Sequence, residues 1–184
     1  MEQILKFDSQ FTLFLTSLLP HNQFFNLFFS FFSLRGSSIL IWIIIITVLV
    51  IFEEKKDKKF IIYFLVTFLV TTFLVNIVLK NVFQRSRPTE LSSVKAKLSL
   101  ATACPTDYSF PSSHAATAFA SAAVLSYFDK KRKWFYYFVA STIAYSRIYL
   151  YCHYFLDILT GTIIGYFIAK LFLKLGKSYI KSKL

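Results

Sequence analysis

Long apolar runs separated by short polar breaks organise this chain. The runs are Phe11–Phe32, Ser37–Phe52, Phe60–Val82, Ser113–Phe128, Trp134–Tyr149 and Phe155–Lys174. A helix needs about 20 apolar residues to cross the hydrocarbon core of a bilayer, and inside lipid it satisfies its own backbone polar groups. Phe60–Val82 is long enough alone. Ser37–Phe52 is apolar and β-branched but short, and borrows Leu34 and its neighbours. Ser113–Phe128 is rich in Ala and Ser, the composition of a helix packed closely against other helices. Phe155–Lys174 carries Gly161 and Gly165 at a Gly-x-x-x-Gly spacing suited to close helix approach.

The first run is interrupted by Pro20-His21-Asn22-Gln23, which should divide it into two short helices. It then forms either a kinked first span or an interfacial helix followed by a re-entrant one. Proline is tolerated in membrane helices, so the kinked span is the expectation. The pattern as a whole predicts an all-α integral membrane bundle of about six transmembrane helices in a single domain, 1–184.

Composition agrees with this class. The chain is 56% hydrophobic with 23 Phe, against roughly 45–50% apolar in an average soluble domain. Its net charge of +12 would suit nucleic acid, but the basic blocks Lys55–Lys59, Lys130–Lys133 and Lys170–Lys183 adjoin apolar runs. That is the positive-inside arrangement, so membrane lipids and not nucleic acid are the expected partners. The segment Glu53–Lys59 has four Lys against three acids, Asp129–Lys133 four bases against one, and the tail after Phe172 four Lys and no acid. Alternation along the chain puts all three on one side, taken as cytoplasmic. The opposite side receives Leu34–Ser37, Lys80–Phe110 and the turn around Ser146–His153. The amino terminus, with a weak basic region and no small-residue cleavage site, is expected to be retained.

The outer connection from Asn81 to Phe110 is long, which is typical of functional loops, and a short helix over Ser92–Leu100 fits within it. Cys104 and Cys152 both fall on this side. A bridge between them is conceivable, but sequence constrains geometry loosely and two unpaired thiols are the expectation.

Three polar clusters then meet on the outer face: Lys80 with Arg87-Pro88, Pro111-Ser112-Ser113-His114, and Ser146-Arg147 with His153 and Asp157. Ionisable residues at membrane depth are costly and mark function by default. His153 and Asp157, four apart, are expected to share a helical face. A carboxylate on one ring nitrogen fixes the tautomer and leaves the other nitrogen as nucleophile or base. The competing reading is a packed histidine satisfied by its neighbour, against which the cost of a needless Asp weighs.

His114 opens the Ala-rich helix, where serine can cap the free N–H groups and the helix end attracts anions. A histidine there can protonate a departing oxygen, or it is incidental to a cap. Lys80, Arg87 and Arg147 suit phosphate, although each singly also fits a snorkelling anchor. Arg85, Lys95 and Lys97 read as solvated or headgroup-contacting charges, and His21 as structural or interfacial.

Lys80-x6-Arg87-Pro88, Pro111-Ser112-x-His114 and Ser146-Arg147-x5-His153-x3-Asp157 together resemble the tripartite signature of the type 2 phosphatidic acid phosphatase family. The resemblance covers residues 80–157. It implies that His153 forms a phosphohistidine with Asp157 orienting it, and that His114 protonates the leaving group. Lys80, Arg87, Ser112, Ser113 and Arg147 would hold the phosphoryl oxygens. It implies no metal or other cofactor, and the outer acids Glu90, Asp107 and Asp157 are a thin set for a two-metal site.

The family's glycine before the histidine is Ser113 here. Serine is compatible with a helix start, so activity is expected to survive. The resemblance points to a lipid phosphate at the outer face of the plasma membrane. Undecaprenyl diphosphate is favoured because no large extra domain recognises a headgroup. Phosphatidylglycerophosphate or phosphatidate hydrolysis, a lipid phosphotransferase and a non-enzymatic lipid-binding protein are the alternatives, and oligomeric state is left open.

Overall fold

The computed structural model describes residues 2–52, 59–88 and 104–181. The helix expected over 92–100, the charges Glu90, Lys95 and Lys97, and most of the basic connection 53–59 lie outside the described residues. Among the described residues seven helices follow in order: α1 (Glu2–Ser17), α2 (Gln23–Ser33), α3 (Arg35–Phe52), α4 (Lys59–Phe83), α5 (Ser113–Phe128), α6 (Lys133–Tyr149) and α7 (Phe155–Lys181). No strand occurs among the described residues. The all-helical fold class is as the apolar pattern predicts, and α4 to α6 match their predicted runs to within a residue.

The first run is divided at Pro20 into two helices, as the sequence predicts: α1 starts at Glu2 and stops at Ser17, and α2 begins after Pro20. Proline brings no N–H to continue a helix. Asn22 restarts one by accepting the Phe25 N–H at 3.0 Å. The axis then turns by 75° between Gln23–Ser33 and Ser38–Ile51. By length and composition, α4 and the Phe155–Gly176 part of α7 can each cross a membrane alone, and α2 with α3 adds a third span if the bent pair is one crossing.

Helix α1 carries its polarity inward. Asp8, Thr12 and Thr16, spaced four apart, are fully buried, while Ile4, Phe7, Leu13 and Phe14 are exposed. Such a face is costly in water and natural in lipid, where polar side chains turn to the bundle interior. Outward Ile43, Ile44, Ile62 and Leu69 complete the apolar exterior.

The centre is α5, whose Ala115, Ala116, Ala118, Ala120, Ala122 and Ala123 are all buried. Small side chains let α4, α6 and α7 close around it. The closest approach is to α7. A Cβ on Gly165 would lie 1.9 Å from the Ala116 carbonyl oxygen, and one on Gly161 2.4 Å from that of Ser112.

Candidate active site

Helix α4 delivers the first cation. Its penultimate stretch, Leu74–Leu79, widens to a π-helix, a form that often accompanies functional sites. Lys80 follows, almost wholly buried. The helix ends because Gln84 takes a left-handed conformation, φ 46°, with its N–H donating to the Lys80 carbonyl at 2.9 Å. Arg85 to Pro88 then cross the end of the bundle. The Ser109 N–H donates to the Arg85 carbonyl at 2.8 Å and the Ser109 hydroxyl to that of Ser86 at 3.0 Å, docking the returning chain beside them.

Helix α5 starts at Ser112, whose hydroxyl accepts from the Ala115 N–H at 3.5 Å. The Ser112 N–H donates to the Asp157 carbonyl at 3.0 Å, tying this start to α7. Helix α6 is stopped by Tyr151 at φ 54°, with the N–H groups of Cys152 and His153 both donating to the Arg147 carbonyl at 2.9 and 3.2 Å. A left-handed non-glycine residue costs about 1–2 kcal/mol, and such strain concentrates at functional turns. Here it turns the chain so that His153 faces the end of α4.

His153 therefore precedes α7 and shares no helical face with Asp157, contrary to the spacing argument. The pair forms through a cap: Asp157 Oδ2 accepts the Tyr154 N–H at 3.0 Å and stands 3.4 Å from His153 Nδ1. On the other side, Arg87 Nη1 lies 3.0 Å from His153 Nε2. A guanidinium can only donate, so Nε2 is the lone-pair nitrogen and Nδ1 carries the proton towards Asp157. This is the tautomer a nucleophilic Nε2 requires.

Asp107, weighed in the sequence only as a metal ligand, is the counter-charge of the site. Its carboxylate pairs with Lys80, and Oδ1 accepts from Arg87 Nη2 at 2.7 Å. Arg87 Nε also donates to the Asp107 carbonyl at 2.7 Å, and Nη1 to the Cys152 carbonyl at 2.7 Å. One guanidinium thus gathers the segments on either side of the cysteines. Cys104 and Cys152 are disulfide-bonded, with Cα atoms 5.4 Å apart, and the expectation of two unpaired thiols is wrong. Sequence spacing could not show that Arg87 brings the two segments together.

The result is a cavity of ≈370 Å³ at this end of the bundle. Lys80, Arg87, Asp107, Ser113, His114 and His153 line it together with Ile39, Phe68 and Thr72. The predicted residues Ser112, Asp157 and Arg147 are almost wholly buried and stand behind this lining. Arg147 Nη1 donates to the Ser33 carbonyl at 2.8 Å and to the Ser33 hydroxyl, holding the end of α2. His21 stacks on Tyr149 and Tyr151, with ring centroids 4.4 and 5.6 Å away, in keeping with a structural role.

Arg85 is a further correction. It is 17% exposed and not solvated: Nη1 donates to Asp157 Oδ1 and Nη2 to Asp8 Oδ2, each at 2.6 Å. The sequence reading missed Arg85, Asp8 and the pairing role of Asp107. A usable signal existed for Asp8, since the cost of a membrane-depth carboxylate that singled out Asp157 applies to it equally.

Burial, reinforced by the charges of Arg147, Arg87 and Lys80, holds the His153 pKa well below 6.5. Burial alone would raise that of Asp107, but Lys80 and Arg87 outweigh it and pull it down to about 2. An attacking imidazole must be neutral, and a lowered pKa keeps it neutral as pH falls below 6.5. The acid limb of kcat/KM is therefore expected below pH 6.5, once the substrate phosphate's own ionisation near pH 6 is corrected for. A His153-dependent limb at or above pH 6.5 would contradict this electrostatic picture.

The fold and the cavity define a helical membrane protein whose bundle end concentrates histidines and cations around one anion-receptive pocket. The family profile described as the PAP2 superfamily matches residues 60–180, and the chain belongs to that family. An undecaprenyl-diphosphatase of Sulfolobus acidocaldarius is 31% identical over 130 residues, which is 70% of this chain and 60% of that protein, so the chain spans less than two thirds of that relative. The crystal structure of Aquifex aeolicus LpxE matches with a TM-score of 0.65 and 26% identity, covering 90% of this chain and 93% of that one. The crystal structure of a transmembrane PAP2-type phosphatidylglycerolphosphate phosphatase from Bacillus subtilis matches with a TM-score of 0.69 and 22% identity, covering 97% and 88%.

Proposed function

We propose that this chain is a membrane lipid phosphatase that removes the terminal phosphate of an isoprenoid or glycerolipid phosphate through a phosphohistidine, with undecaprenyl diphosphate the favoured substrate. One observation carries the reading. Lys80, Arg87, His114 and His153 share one cavity with Ile39 of α3 and Phe68 of α4. That combination suits a phosphate attached to a chain lying in lipid. The name and 31% identity of the Sulfolobus relative support the diphosphate. The charge count along the chain supports six crossings, with the site on the extracytoplasmic side of the plasma membrane.

In the first step His153 Nε2 attacks phosphorus, and the bond to the leaving oxygen breaks as His114 gives that oxygen its proton. Arg87 exchanges Nε2 for the phosphoryl oxygens, which are stronger acceptors for a charged fork. Lys80 shares them, and both cations leave Asp107 for the more highly charged phosphate. Asp157 steadies the imidazolium character of the phosphorylated ring. In the second step water attacks phosphorus, His114 takes the water's proton, the P–N bond breaks, and inorganic phosphate departs. Positioning and charge stabilisation supply most of such a reaction's acceleration. No step calls for a metal.

The test is phosphate release by purified protein in detergent across undecaprenyl diphosphate, phosphatidylglycerophosphate and phosphatidate. The highest kcat/KM is expected with undecaprenyl diphosphate. A higher value with either glycerolipid would overturn the substrate, and a phosphorylated acceptor in place of free phosphate would make the chain a phosphotransferase. Release from none of the three would overturn the phosphatase reading.

A further inference from the structure

We infer that Asp8 of α1 belongs to the machinery of this site: through Arg85 it positions Asp157, and thereby the His153 imidazole. The inference rests on the proposed phosphatase activity. Asp8 lies outside the 60–180 stretch that the family profile matches, so the site extends to the amino-terminal helix.

The geometry is a linear chain of charges. Asp8 and Asp157 are both 0% exposed, and a single guanidinium stands between them with one Nη on each, both at 2.6 Å. Arg85 also lies over the Tyr154 ring, 4.1 Å from its centroid, which leaves it little freedom to turn. Arg85 is the cation that both buried carboxylates share. Arginine suits this place because its planar fork bonds two acceptors at once, which an ammonium point charge does less well.

Asp8 has a second grip. Its Oδ1 accepts the Leu156 N–H at 2.9 Å, and Thr12, one turn on, accepts the Phe155 N–H at 2.9 Å. These are free N–H groups of the first turn of α7, which a helix cannot satisfy internally. Helix α1 thus caps the very turn that carries Asp157. With Oδ1 held by Arg85 and the backbone held by α1, Asp157 Oδ2 is confined to the place where it meets Tyr154 N–H and His153 Nδ1. Without the Asp8 charge, Arg85 leans wholly on Asp157 and draws its carboxylate away from its place 3.4 Å from His153 Nδ1. Groups that hold a metal-binding histidine from one layer behind are worth about 10–100-fold, and the same scale is expected here.

The experiment compares full-length wild type, Asp8→Asn and Thr16→Val in detergent. Thr16 lies on the same buried stripe, and its hydroxyl reaches the Ile148 carbonyl at 3.4 Å, so Thr16→Val loosens α1 without touching the charge chain. Asp8→Asn is expected to lower kcat roughly 10–100-fold with KM within about twofold of wild type, while Thr16→Val stays near wild type in both. An Asp8→Asn kcat equal to wild type would overturn the inference alone, as would an equal loss in Thr16→Val. An inactive wild type would instead overturn the phosphatase reading beneath it. If Asp8→Asn fails to fold, Arg85→Lys probes the same link, with the same kcat loss at constant KM expected and an unchanged kcat again fatal to the inference.

Discussion

Replacing His153 by alanine is expected to reduce phosphate release by at least about 10³-fold, the scale on which removing a covalent nucleophile acts. The folded bundle should persist. His153 sits in the turn after α6, and the hydrogen bonds that shape that turn run from backbone N–H groups to the Arg147 carbonyl, not through its ring. The loss should appear in kcat, because Lys80 and Arg87 still line the cavity and still attract the phosphate. Wild type mixed rapidly with a 32P-labelled lipid and quenched in alkali should carry label on protein, and the alanine variant should carry none. Equal release by the two proteins would remove His153 from the chemistry and end the phosphohistidine mechanism.

A comparable effect on the fold is expected from Gly165→Ala. The added Cβ would sit 1.9 Å from the Ala116 carbonyl oxygen, 2.7 Å from its carbon and 2.9 Å from its Cα. All three are backbone atoms of the central helix, so no rotamer relieves the clash and α5 must move away from α7. Overpacking of this kind costs about 1–3 kcal/mol, and a rigid backbone contact places Gly165 at the upper end. A fall of roughly 5–10 °C in the thermal transition in detergent is expected. Activity should fall with it, since α5 and α7 carry His114 and Asp157 and are joined at Ser112. A variant as stable as wild type would show that the two helices are not held at this separation.

Much of the framework was readable from the chain. The apolar runs end where polar residues begin, and α4 to α6 begin and end there to within a residue. The small residues of α5 and the glycine pair of α7 announced the tightest helix contact. Lys80, Arg87, Ser113, His114 and His153 were legible because short motifs with fixed spacing put chemistry-bearing side chains at helix ends, and topology carried those ends to one side. The path of the first run was not legible. Proline says that a helix breaks, but where the chain goes next depends on what the two pieces pack against.

The pairings were not legible either. Arg85 looked like one more basic residue in a polar connection, yet it joins carboxylates 77 residues before it and 72 after it. Asp107 was weighed only as a member of a thin metal-ligand set, and it pairs with two cations. The cysteines, 48 residues apart, are bridged across segments that Arg87 gathers.

The sequence by itself determined the class of protein, its helices, and the histidines and cations around the cavity, because hydrophobic length and motif spacing are local properties that survive without coordinates. Only the tertiary structure decided which carboxylate answers which cation, which ring nitrogen of His153 bears the lone pair, and that α1 reaches the site. Those depend on contacts between residues far apart in the chain, and no local pattern encodes a distance.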